Sequence, residues 1–96
     1  MITIIAKAKA KPGKEVLLAD ESVKLAKLVR ENEKGCLMYI PHVSTDNPAE
    51  IVFVEKYVDE AASNVHGQAT YFKAFLEACQ ELLSEELQIQ SLQELI

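Results

Sequence analysis

The stretch Glu55-Lys-Tyr-Val-Asp-Glu-Ala-Ala-Ser-Asn-Val-His-Gly-Gln-Ala-Thr-Tyr-Phe-Lys-Ala-Phe75 decides how this chain folds. It starts at the end of an apolar strand, Glu50 to Val58, in which Ile51, Phe53, Glu55 and Tyr57 share one face by the period-2 rule. Asp59 is a good N-cap for a short helix from Glu60 to Val65, because its carboxylate can accept from the unpaired first-turn amides. Gly67 is expected to break that helix just after His66. From Thr70 to Leu83, Phe72, Phe75, Leu76, Cys79, Leu82 and Leu83 recur at helical spacing, so this second helix should lay one apolar stripe on a sheet.

Upstream, Cys36 to Ser44 reads as a strand, with Leu37, Tyr39 and Val43 on one side and Cys36, Met38, Ile40 and His42 on the other. Both faces are expected to be covered. Pro41 has no amide to donate and suits an edge or a bulge, and the turn cluster Thr45-Asp46-Asn47-Pro48 folds this strand onto the next as a hairpin. From Glu15 to about Glu33 a long helix buries Leu18, Ser22, Leu25 and Val29, widened by Ala26 and Leu28, with Gly35 as its expected left-handed terminator. At the start, Ile2 to Lys9 alternates as a strand with Ile2, Ile4, Ala6 and Ala8 on one face, and Pro12-Gly13 ends it. The last segment, Glu85 to Ile96, alternates through Leu87, Ile89 and Ser91 before the apolar phase moves to Leu92. That change implies a bulge, or a tail that lies on a partner's sheet.

Strand, helix, strand, strand, helix, strand is the α+β, ferredoxin-like order βαββαβ, the split βαβ pattern with an antiparallel sheet, in one domain over residues 1–96. Two helices cover one sheet face and leave the other apolar, so a homodimer with sheets closing toward a barrel is expected. The formal charge is −5 with dispersed lysines, which argues against a nucleic-acid partner. No apolar run is long enough to span a membrane, and a cytoplasmic protein is expected. Cys36 and Cys79 fall at apolar-periodic positions and are read as reduced, small buried side chains. His42 and His66, the only histidines, show no ligand-type spacing, so no metal is assigned.

Ile-Thr-Ile-Ile-Ala-Lys at the start, Lys-Pro-Gly-Lys-Glu before the first helix, Gly-Cys-Leu-x-Tyr, Val-Glu-Lys-Tyr-x-Asp-Glu-Ala, then His66 and Tyr-Phe-Lys-Ala-Phe together resemble the antibiotic biosynthesis monooxygenase family of dimeric α/β-barrel proteins. The resemblance covers nearly the whole chain. It implies oxygenation, without cofactor, of a quinol-like or polyphenolic aromatic by O2, in a pocket between helices and sheet. His66 matches a family histidine and is the candidate base, since imidazole titrates near neutral pH. Glu55 matches a family glutamate. In apolar company its carboxylate must be paired or become harder to ionise, and it suits orienting a histidine or a substrate hydroxyl.

Tyr57, Tyr39, Tyr71 and Phe72 are the candidate substrate-binding aromatics. His42 lies on the opposite strand phase and is read as a surface or interface residue. The chain departs from the family where many relatives read Thr-Pro-His-Phe, because Thr70 and Tyr71 replace the proline and histidine. A phenol is a poor base at neutral pH. Two other readings stay open: an isomerase acting by enolisation on small phosphorylated ketones, and a dimeric ligand-binding protein without catalysis.

Overall fold

The computed structural model describes all 96 residues, in the order β1 (Ile2–Lys9), α1 (Glu15–Asn32), β2 (Cys36–Val43), β3 (Glu50–Tyr57), α2 (Glu60–Gln68), α3 (Thr70–Leu82) and β4 (Gln88–Gln93). The four strands form one sheet in the order β2-β3-β1-β4, and every neighbouring pair is antiparallel. This is the expected ferredoxin-like fold, with α2 and α3 together filling the second helical position.

One sheet face carries Ala6, Ala8, Ile51 and Phe53, and Leu18, Leu25 and Val29 of α1 with Phe75, Cys79 and Leu82 of α3 close over it. These are the positions that the two periodicities select. Leu28 and Leu76, read as part of the helical stripes, lie at the stripe margins and are exposed. The opposite face bears Ile5, Val52 and Val54, half-buried, with Ile40 and Leu92 exposed beside them. No helix is long and apolar enough to cross a membrane.

Several local expectations need correction. Gly35 does not terminate α1 in the left-handed region, because Gly13, at φ 84°, is the one residue with positive φ. Glu33 leaves the helix in extended geometry instead. Gly35 is small for another reason: a Cβ there would come within 2.6 Å of Ala62 Cβ, so α2 can approach the start of β2. Nor does Gly67 break α2, which continues to Gln68. The turn between the two helices falls at Ala69, where ψ swings to 137° and the backbone N–H bonds His66 O at 3.1 Å.

In β2 the faces are not both covered. A register shift between Cys36 and Met38 throws Leu37 out, and Tyr39 is the one fully buried residue of this edge strand. β4 pairs in unbroken register with β1, so the phase change at Leu92 needs no bulge. Both phases simply occur on an exposed edge strand. Asp59 caps α2 as expected, accepting from the Ala62 amide at 2.8 Å.

Candidate active site

At one end of the layer between sheet and helices the core turns polar. His66 projects from the last turn of α2 and is 6% exposed, a placement that follows from Asp59 fixing the start of α2 and from the Ala69 turn setting α3 against it. Its ring packs on Phe72, with centroids 4.5 Å apart, and on Tyr39 at 5.0 Å. The imidazole Nδ1 lies 2.9 Å from Glu33 Oε2, so an Nδ1–H donates to that carboxylate. Tyr71 Oη donates to the same oxygen through a very short hydrogen bond.

Glu33 Oε1 is buried without a partner, which concentrates both donors on one side of the carboxylate. On the far edge of the ring, Nε2 is 3.4 Å from the Tyr39 hydroxyl. A carboxylate on Nδ1–H fixes the tautomer, leaves Nε2 as the basic nitrogen and stabilises the ring once it gains a second proton. At 3.4 Å the Tyr39 contact is too long to hold that lone pair firmly.

The second carboxylate stands apart from this pair. Glu55, 3% exposed, accepts from Tyr57 Oη at 2.7 Å and makes no bond to His66. Of the two partners read for Glu55 from sequence, a histidine or a substrate hydroxyl, the structure gives it no histidine, because the carboxylate on His66 is that of Glu33. Burial pushes the Glu55 carboxyl up to about 7, against the opposing pull of the Tyr57 hydrogen bond and with a further push from the charge of Glu33. It thus titrates in the neutral range. Tyr39, Tyr57 and Tyr71 are all raised above the ordinary phenol value, first by burial, and act as donors rather than bases. Burial also pushes Cys36 up to about 11, as it does Cys79, so both thiols are protonated and poor nucleophiles. His42 is exposed, with Nδ1 2.9 Å from the Ile40 carbonyl oxygen.

A cavity of about 140 Å³ opens beside this network. His66, Glu55, Tyr57 and Phe72 line it, joined by Ile4 and Ala6 of β1 and by Leu87 and Ile89 near the C-terminus. Tyr39 and Tyr71, expected on the wall, stand behind it and reach the site only through His66 and Glu33. Glu33 itself was not singled out from sequence. The available signal was its phase, four residues past Val29 and in step with the buried stripe of α1, where an acid needs a partner. No cluster of three His, Cys, Asp or Glu side chains is placed to hold a metal ion.

The sequence pattern of the antibiotic biosynthesis monooxygenase family matches residues 1–78. The chain belongs to this family. It is also similar to the Bacillus subtilis protein named "Putative monooxygenase YcnE", being 32% identical over 89 residues, 93% of each chain. Among solved structures, PA3566 of Pseudomonas aeruginosa superposes with a TM-score of 0.90 at 29% identity, covering 99% of this chain and 94% of that one. SO0527 of Shewanella oneidensis does so with 0.89 at 30%, covering 95% and 87%. Every site residue from Glu33 to Phe72 falls inside the family match, whereas Leu87 and Ile89 lie beyond it.

Proposed function

We propose that this member of the antibiotic biosynthesis monooxygenase family oxidises a small quinol-like aromatic with O2 and without a cofactor. The observation that carries the reading is a buried imidazole, held by Glu33 through Nδ1, in the wall of a largely apolar cavity that it shares with Glu55. His66 Nε2 takes a phenolic proton, and the resulting anion is electron-rich enough to pass one electron to O2. The superoxide and ring radical so formed combine in a new C–O bond. Loss of the ring C–H proton with cleavage of the O–O bond then gives a hydroxyquinone and water, one oxygen atom going to each.

In this scheme Glu33 stabilises the imidazolium, Glu55 receives a substrate hydroxyl, and Phe72 and Tyr57 flank the ring. The enolising isomerase reading is less well supported, because no lysine or arginine lines the cavity to hold a phosphate and Glu55 would repel one. Oxygen uptake over a panel of hydroquinones in chelated buffer tests the proposal. It expects one O2 consumed per quinol and one labelled oxygen atom from 18O2 in the product. Uptake no faster than uncatalysed autoxidation across the panel would remove the oxygenase reading and leave ligand binding.

The functional unit proposed is a homodimer formed through the open sheet face, where Ile5, Val54 and Ile40 stand side by side across three strands, with Val52 and Leu92 on the same face. Light scattering on the purified chain checks it, a monomer at micromolar concentration being the contrary result. Two unpaired thiols suit a reducing compartment, which supports placing the protein in the cytoplasm. Recovery of the native protein with its thiols oxidised would argue against that placement.

A further inference from the structure

The cavity beside His66 is unusually small for a binding site. At about 140 Å³ it lies well below the roughly 300–1,000 Å³ of ordinary small-molecule pockets. It is close to the engineered hollow of about 150 Å³ that takes up a single benzene ring. Its polar groups are few, namely Glu55, Ser63, His66 and the Tyr57 hydroxyl, and that hydroxyl is already given to Glu55. The wall holds one carboxyl group and neither lysine nor arginine, and a second carboxylate stands behind His66, so the site offers an incoming anion no permanent cation and suits a neutral ligand.

The walls also differ in how firmly they are held. Ile4 and Ala6 belong to β1, which is hydrogen-bonded on both sides, by β3 and by β4. Phe72 is clamped against the His66 ring. Ile89 comes from the far edge, where β4 bonds to β1 alone and every one of its residues is exposed, Ile89 at 58%, and Leu87, one residue before that strand, is half-buried with its side chain against the core. These two are also the wall residues that the family pattern does not reach.

We propose that the site selects neutral single-ring phenols, and that Ile89 on the sheet edge and Leu87 just before it set the size limit. This names the substrate class of the site described above, and it rests on that reading only in treating the bound ring as the substrate. The limit itself is a property of binding.

Isothermal titration under argon, where no turnover occurs, tests it with 4-methylphenol, 2-naphthol and benzoate as probes. The unaltered chain should bind 4-methylphenol at least tenfold more tightly than 2-naphthol and show no heat with benzoate. Ile89→Ala should bring 2-naphthol to within threefold of 4-methylphenol, and Leu87→Ala should move the ratio the same way. Ile89→Val, a smaller excision, gives an intermediate ratio should the alanine variant fail to fold. Equal affinity for one and two rings in the unaltered chain, an unchanged ratio in the variants, or no ring binding at all would overturn the proposal. Ring binding with the expected ratio but no oxygen uptake would overturn the oxygenase reading alone.

Discussion

The layer between sheet and helices has two halves that share a scaffold and follow different rules. Around Phe53, Leu18, Val29 and Phe75 the filling is apolar but for Ser22, whose hydroxyl donates to Leu18 O, and the apolar side chains contribute through the area they remove from water. Around Glu33, His66, Tyr39, Tyr57 and Glu55 the same depth of burial holds groups that are tolerable there only while each has its partner. The first half can exchange one hydrocarbon for another at modest cost. The second cannot lose a member without stranding another. Phe53 touches both, its ring 5.6 Å from Tyr39 and 5.8 Å from Phe75.

The largest effect should therefore come from emptying the boundary. Phe53→Ala is expected to cost about 3–5 kcal/mol, and Phe53→Leu less than about 1.5. Urea unfolding measures both, and a loss under about 1 kcal/mol for the alanine would mean that the two halves do not lean on that ring. Next is Glu33→Gln, which keeps the volume but removes the charge facing Nδ1. Turnover should fall about 100-fold while 4-methylphenol binding stays within threefold. Equal losses in both would reduce Glu33 to a structural prop.

Glu55 separates the halves by pH. Its carboxyl titrates near 4.5 when unfolded and near 7 when folded, so between those values the folded chain holds the extra proton. Stability owed to this group is complete below pH 4.5 and is lost as pH rises through 7, by up to about 3 kcal/mol. Glu55→Gln should flatten that decline, making the variant the more stable protein at pH 8, and parallel stability curves for the two would contradict it. The smallest effect belongs to Tyr71→Phe, which deletes one donor to Glu33 while His66 still holds it. About 1 kcal/mol of stability is expected to go, read from the same denaturation curves.

The apolar half was legible in the sequence because its rules are periodic. Alternation in β1 and β3 and the helical stripe of α3 named Ala6, Phe53, Phe75 and Cys79 as core, and Asp59 marked the start of α2 by its capping chemistry. The polar half was legible only in part. His66, Glu55, Tyr57 and Phe72 do meet on one cavity wall, but a pairing that spans 33 residues, Glu33 with His66, leaves no local pattern. Glu33 looked like an ordinary charged residue at a helix end. The two glycines misled for a related reason. Gly35 is small because Ala62 crosses it, a tertiary fact, and Gly67 sits one residue from the end of α2, where its cost to the helix is slight. Edge strands are read least well, since β4 is exposed in both phases and β2 has exposed and half-buried residues in both, with Tyr39 alone fully buried.

The claim on which the rest turns is that His66 acts as the base for a ring bound in this cavity. Oxygen uptake on 2-methylhydroquinone by His66→Ala, with 4-methylphenol titration to confirm an intact site, tests it most directly. Uptake at least 100-fold below that of the unaltered chain, with binding retained, is expected, and uptake within twofold of the unaltered chain would contradict the role of His66.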